Sequence, residues 1–330
     1  MEKVRDDRID ALKGVLIGLV VLGHCCVYGS HDDVKLVMAN WIYLFHMPFF
    51  VFLSGYFSRP DSKNYWRGVL AIIESYVVYQ LIKGILSHYS IVRLLTVPAP
   101  MMWYLWALVI WRCLYYLFCK LPQSPVLKGV VLVLLFCAGL LIGFFPKAGS
   151  AFALSRTVVF APFFFLGTLS QKVDFVGECK RIPKWVAILI LIGGGVLVAF
   201  LTPMEWLNVR ETLRGATAYE GVKWIGCLAR CCYYFIAILM SIALTSLVVA
   251  SPKICQVGKD SLKYYLFHGL ALPIMVMAGI PWTWYFALIW WLILMVILFF
   301  FNKTRLSDFA LRPVTYLVEI YKQKKQNKIQ

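Results

Sequence analysis

Three residues in this sequence have the types and spacing to do chemistry together. Lys13 and His24 stand eleven positions apart, about 1100° around an α-helix and therefore within about 20° of one face. Along the axis they are separated by ~16 Å, more than half the ~30 Å thickness of a bilayer's hydrocarbon core. One helical face thus carries a cation near one membrane border and an imidazole well towards the other. That arrangement suits a ligand that threads the membrane with its anionic end at the cation. An imidazole titrates near neutrality, which is what a general base for a hydroxyl group requires. A second imidazole, His46, follows in Leu44-Phe45-His46-Met47-Pro48. A short connection makes its helix a neighbour of the first. His46 is expected about a third of the way in from the outer face, at the depth of His24, so that the two histidines share one pocket. Pro48 should loosen the local helix ladder and free a carbonyl for another partner.

The elements that must hold these residues are membrane spans. Of 330 residues, 61% are hydrophobic and only 15% charged, and mean hydropathy is +0.76. A soluble domain is about 45–50% apolar, so a soluble enzyme, a disordered chain and a fibre are all excluded. The reading is all-α: a polytopic transmembrane helical bundle of about ten spans, each of about 20 apolar residues. They run near 12–30, 40–58, 66–87, 101–119, 128–145, 154–171, 184–202, 229–250, 261–279 and 281–301, with Gly279–Ile280–Pro281 punctuating the last two.

Charge gives the orientation. The 33 Lys and Arg outnumber 16 Asp and Glu, a net +17. With the N-terminus inside, 23 of the basic residues fall in cytoplasmic segments and 9 in outer ones, with Arg112 inside a span. The excess places both termini in the cytoplasm. Residues 1–302 read as the membrane domain, and 303–330 as a basic cytoplasmic tail suited to an anionic inner leaflet. The lipid bilayer is the partner these charges serve. No basic stretch interleaves with stacking aromatics on a polar face, so nucleic acid is not expected. The ten Cys include no CxxC pair and no zinc spacing, and no metal site is expected.

Ionisable residues inside spans are costly and are functional hypotheses by default. An intramembrane histidine can also serve simply as a hydrogen bond between helices. Arg112 could snorkel to the inner border or bind an anion. Lys63 and Arg67 stand at that same border, where topology alone also explains them. Arg156 lies at the outer edge of its span. Trp103, with Tyr104 and Trp106, reads as part of an aromatic belt. The longest outer segment, Thr202–Lys223, holds Glu205, Arg210, Glu211, Arg214 and Glu220; it reads as a hydrated surface, with acceptor contact as the alternative.

Arg8-x-Asp10-x-x-Lys13-Gly14 followed by Val20-Val21-Leu22-Gly23-His24 resembles the opening of the integral-membrane acyltransferase type 3 family. The family's pattern of a basic residue, ten others and a His falls on Lys13 and His24, with Lys replacing the commoner Arg. Phe45-His46-Met47-Pro48 to Ser54-Gly55 is similar to the branch of fucose 4-O-acetylases and exopolysaccharide O-acyltransferases. So are Trp103-Tyr104-Leu105 with Trp111-Arg112, Ser155-Arg156 leading to Pro162-Phe163-Phe164-Phe165-Leu166-Gly167, and Ser261-Leu262 with Tyr265-Leu266-Phe267-His268. The family usually follows the basic residue before its third span with a Pro-Tyr pair; this chain has Glu74-Ser75-Tyr76 instead, which is expected to put a buried carboxylate near the middle of the span.

The resemblance implies transfer of an acyl group, most often acetyl, from cytoplasmic acyl-CoA to a hydroxyl of a cell-envelope or exported polysaccharide. Acetyl-CoA would be a co-substrate, with no tightly bound cofactor, and the protein would lie in the cytoplasmic membrane. His24 would be the base, and His46 would orient the acceptor or His24 or share the proton. Lys13, Arg67, Lys63 and Arg112 would hold the acyl-CoA phosphates, and Arg156, Glu74 and Trp103 the glycan or glycolipid acceptor. Direct attack and an acyl-histidine intermediate both remain open. The rival reading is a transporter or flippase for a glycan or lipid-linked sugar. It would call for repeats with helices broken in corresponding places, and no such pairing is visible.

Overall fold

The computed structural model describes residues 6–28, 32–149, 151–204, 209–277 and 282–327. Lys3, Arg5, Glu205, Lys328 and the Gly279–Ile280–Pro281 boundary lie outside them. Among the described residues the chain is helical throughout, with no strand. In chain order the helices are α1 (Asp7–Val27), α2 (Asp33–Tyr43), α3 (His46–Tyr56), α4 (Tyr65–Leu86), α5 (Ile91–Thr96), α6 (Trp103–Phe118), α7 (Pro125–Leu141), α8 (Leu154–Leu169) and α9 (Phe175–Lys180). They continue as α10 (Lys184–Leu201), α11 (Val209–Arg214), α12 (Lys223–Leu247), α13 (Pro252–Lys259), α14 (Ser261–Met277), α15 (Trp284–Phe301), α16 (Arg305–Leu311) and α17 (Pro313–Asn327).

Each of the ten expected stretches falls on a helix. Eight segments are long and apolar enough to cross a bilayer, α2 and α3 together forming one of them. The other two stretches are the shorter apolar helix α6 and the 17-residue α14. The helix starts are written in side chains that satisfy otherwise unpaired backbone N–H groups. Asp6 accepts from Arg8, Asp32 from Lys35, Ser124 from Leu127 and Ser251 from Ile254. Pro125 and Pro252 follow two of these caps, where the missing N–H costs nothing.

α1 sits at the centre, packed against α2, α13, α14 and α15. In its apolar window 78% of residues are buried, whereas α7 has only 11%. A helix that is apolar all round yet unburied by protein belongs against lipid, so α7, α10 and α15 form the perimeter. α3 and α8 cross closely because Gly55 and Gly167 each meet the other helix's backbone, Gly55 at Phe164 and Gly167 at Phe52. A methyl group on either would strike a carbonyl.

The second span differs from its expected bounds. It begins at Asp33 rather than near residue 40, because Asp32 caps it and Lys35 finds partners inside the protein. Lys35 falls between the spans expected at 12–30 and 40–58, and the charge count places it among the nine basic residues of the outer segments. It is instead buried, its ammonium donating to the carbonyls of Tyr28 (2.9 Å) and Trp282 (2.6 Å). His46 consequently lies past the midpoint of Asp33–Tyr56, not a third of the way in. The span breaks at Leu44–Phe45, where Phe45 leaves the helical region with φ −138°. Pro48 explains the break, since its ring would clash with the carbonyl of Leu44 in a continuous helix.

At the C-terminal side, Ser307 and Leu311 of α16 are buried against the bundle. Lys263 of α14 pairs with Asp308 at 2.6 Å, and Ser75 of α4 donates to the Leu311 carbonyl at 3.1 Å. Residues 305–311 are therefore docked on the membrane helices.

Candidate active site

Inner and outer denote the sides of the membrane assigned by the charge count. At the outer end a cavity of about 450 Å³ opens between α1, α2–α3, α5, α6, α8, α14 and the segment after α11. His24, His46, Trp103 and Arg156 all line it, as do Tyr28, Tyr43, Arg93, Arg214 and Tyr265. Its volume is that of a small-molecule site, about 300–1,000 Å³.

The imidazoles are held in defined tautomers. His268 of α14 is fully buried, and its Nδ1 lies 2.7 Å from the Tyr264 carbonyl. A carbonyl only accepts, so Nδ1 of His268 carries the proton and, in the neutral ring, Nε2 is an acceptor. His24 Nδ1 is 2.8 Å from that Nε2 and must therefore be the donor. The rings stack with centroids 5.0 Å apart at 14°. His24 is left with a lone pair on Nε2. His46 follows the same logic: its Nδ1 donates to the Ile42 carbonyl at 2.8 Å, leaving its own Nε2 bare. The break at Leu44–Phe45 is what makes that carbonyl available. Tyr43 sits between the two histidines, its ring 6.3 Å from His24 and 5.0 Å from His46.

Arg156 enters from the start of α8, where Phe152 and Ala153 both adopt left-handed conformations with φ 51°. Such residues cost about 1–3 kcal/mol each and persist where surrounding contacts enforce them. Here they turn the chain so that α8 begins at the cavity wall. The Arg156 guanidinium lies 5.2 Å from the Trp103 ring, giving Trp103 a defined place in the cavity beyond a lipid belt. Ser155 donates to the Gly215 carbonyl at 2.8 Å. That bond ties the segment after α11 to α8 and brings Arg214 to the rim, where it pairs with Glu211 at 2.6 Å. The outer loop is thus more than a hydrated surface.

The cations expected at the inner border lie apart from this cavity. Lys13 projects from α1 over the Phe57 ring at 4.1 Å, with Asp10 at 3.9 Å. Phe57 ends the α2–α3 span and Tyr43 belongs to it, so Lys13 and His24 both face that one neighbour from opposite ends of α1. Arg112 lies 5.8 Å from the Tyr65 ring, at the start of α4. Lys63 and Arg67 are exposed beside it. Glu74 is placed elsewhere again. Its carboxylate accepts the backbone N–H groups of Val314 (2.7 Å) and Thr315 (3.0 Å) and the Thr315 hydroxyl. It caps the N-terminus of α17, favoured there by the helix dipole, and does not line the cavity.

Two residues escaped the reading of the sequence. His268 was noted only within a motif, although a third imidazole in an apolar span was the available signal. Tyr265 lines the cavity, and its buried hydroxyl has no hydrogen-bond partner among the described residues. Among the described residues no group of three or more His, Cys, Asp or Glu could hold a metal.

The bundle of long apolar helices defines a multi-pass membrane protein with a histidine-lined cavity among its spans. Residues 6–311 match the family described as an acyltransferase domain, and the chain belongs to that acyltransferase type 3 family. Over 74 residues it is 38% identical to the nodulation protein NolL of Mesorhizobium japonicum, a stretch covering 20% of this chain and 19% of that relative. No solved structure matches.

Proposed function

We propose that the chain is an O-acyltransferase of the cytoplasmic membrane, moving an acetyl group from cytoplasmic acetyl-CoA to a hydroxyl of a cell-envelope or exported polysaccharide. The observation that carries this reading is the chain from His24 Nδ1 to His268 Nε2 and from His268 Nδ1 to the Tyr264 carbonyl. It leaves His24 Nε2 free to take a proton in the outer cavity.

In this mechanism Lys13, Arg112, Lys63 and Arg67 meet the CoA phosphates at the inner border, and the pantetheine arm brings the thioester towards His24. Nε2 of His24 removes the acceptor hydroxyl's proton as the oxygen attacks the thioester carbonyl. Tyr265 supplies a donor to the developing oxyanion. The intermediate collapses with cleavage of the carbon–sulfur bond, and the departing thiolate takes the proton back from His24. Products are the acetylated sugar and CoA thiol. His268 accepts from the transient imidazolium throughout, and His46 orients the acceptor through its own bare Nε2. Arg156 and Trp103 position the acceptor ring.

The test is purified protein with labelled acetyl-CoA and a glycan acceptor. Label should reach the glycan, His24→Ala should abolish transfer, and Tyr265→Phe should lower kcat without raising either KM. Full transfer by correctly inserted His24→Ala would overturn the mechanism, and glycan movement without label would make the protein a transporter.

A further inference from the structure

The charge on the cavity wall goes beyond what a neutral sugar needs. Arg93, Arg156 and Arg214 line it together with His24 and His46, and among the described residues no Asp or Glu does. Among the described residues, Arg214 is the one of the three that is ion-paired, with Glu211. Arg156 forms no ion pair among the described residues and meets the Trp103 ring. Arg93 likewise rests over the Tyr89 ring at 4.4 Å rather than on a carboxylate. Guanidinium groups gathered in a cleft with apolar walls repel one another and concentrate a positive potential there. A hydroxyl-only ligand leaves that potential unanswered. A carboxylate or phosphate answers it, because the planar guanidinium fork matches two oxygens at once. Trp103 beside Arg156 offers a flat apolar face against which a sugar ring can lie.

We infer that the acceptor is an anionic sugar, a uronate or sugar phosphate, whose charged group is gripped by Arg156 and Arg214 so that a hydroxyl of the same or the adjoining residue meets His24. This rests on the reading of the cavity as the acceptor site. It narrows the acceptor to a chemical class and gives the outer loop a role in selecting it. Arg93, on a short helix at the mouth, extends the same field to the approach.

Binding can be measured without turnover, by saturation-transfer NMR on the purified protein in detergent. The probes are methyl glucoside, methyl glucuronoside and methyl glucoside 6-phosphate, which share a ring and differ in charge at one carbon. Charge-assisted hydrogen bonds predict that the wild type binds at least one anionic probe about tenfold or more tightly than the glucoside. Arg156→Gln and Arg214→Gln should each narrow that gap. Arg156→Lys should keep part of it, and glucoside binding that Arg156→Gln retains shows that its loss of the gap is not misfolding. Equal binding of the three probes by the wild type would overturn the inference, as would a gap that both substitutions leave intact. If the substitutions instead weaken acetyl-CoA binding and spare the glucuronoside, the arginines serve the donor and the inference fails. The parent reading is judged separately: anion binding with no acyl transfer to any acceptor would refute that reading and leave the anion site standing.

Discussion

Replacing His268 with Leu removes the acceptor of the His24 Nδ1 proton while leaving His24 in place. The consequences are twofold. The neutral His24 ring loses the bond that keeps its proton on Nδ1, worth about 0.5–1.5 kcal/mol net. The imidazolium formed during proton transfer loses a bond to a charged donor, worth about 1.5–3 kcal/mol. Only the difference, about 1–1.5 kcal/mol, slows the chemical step, so at about 1.4 kcal/mol per tenfold kcat should fall by about five- to twelvefold. Removing the base itself, in His24→Ala, forfeits the whole of general-base catalysis, about 10²–10⁴-fold. Neither ligand touches His268, so both KM values should stay at the wild-type level. The assay is initial-rate transfer of labelled acetyl groups by purified protein, normalised to folded material because the Tyr264 carbonyl loses its partner too. His268→Gln is the decisive companion. Its amide oxygen can accept from His24 while its NH₂ donates to Tyr264, so it should recover a good part of the loss. A folded His268→Leu protein with wild-type kcat would refute the tautomer argument. So would a glutamine variant that folds like the wild type and works no better than leucine.

Lys13→Ala should raise the KM for acetyl-CoA by about ten- to a hundredfold, the worth of one charge-assisted bond to phosphate, and leave the acceptor KM unchanged; steady-state kinetics with each substrate varied checks this. Glu74→Ala should loosen α17 by about 1–2 kcal/mol of capping energy and leave acceptor KM alone, seen as faster amide exchange over residues 313–320. Asp32, just outside the second span, accepts backbone N–H groups from Lys35 (3.1 Å) and Trp284 (2.9 Å). The Lys35 N–H bond in particular holds its carboxyl below the usual carboxylate range. A depressed carboxylate stabilises above its unfolded pKa and loses that contribution as pH falls through the folded one. Exchange protection at Lys35 and Trp284, corrected for intrinsic rates, should therefore hold at neutral pH and fall away in acid, with Asp32→Asn abolishing the transition.

Much of this architecture was legible in one dimension because a bilayer constrains a chain so strongly. Apolar runs of span length have few other uses, and all ten fell on helices. The 100° periodicity of a helix sufficed to put Lys13 and His24 on one face, and both turn to the α2–α3 span. Pro48 forecast a broken ladder, and at that break the Ile42 carbonyl accepts from both the Phe45 N–H and His46 Nδ1. What stayed hidden depended on contacts between distant segments. His268 lies 244 residues from His24, and no local pattern distinguishes an imidazole that orients another from one that packs. Glu74 looked like a buried charge seeking substrate because its true partner, the N-terminus of α17, lies 240 residues away. Lys35 looked like an outer-loop marker because its carbonyl partners carry no sequence signature. The same limit explains Arg214. In the sequence it is one charge among several in a polar loop, and only the Ser155 hydroxyl holding Gly215 reveals that it is carried to the cavity rim. A polar residue near a membrane is therefore read correctly from sequence when its role is set by depth or helical phase. It is misread when its role is set by a backbone group elsewhere in the chain, as it is for Glu74, Lys35 and Arg214.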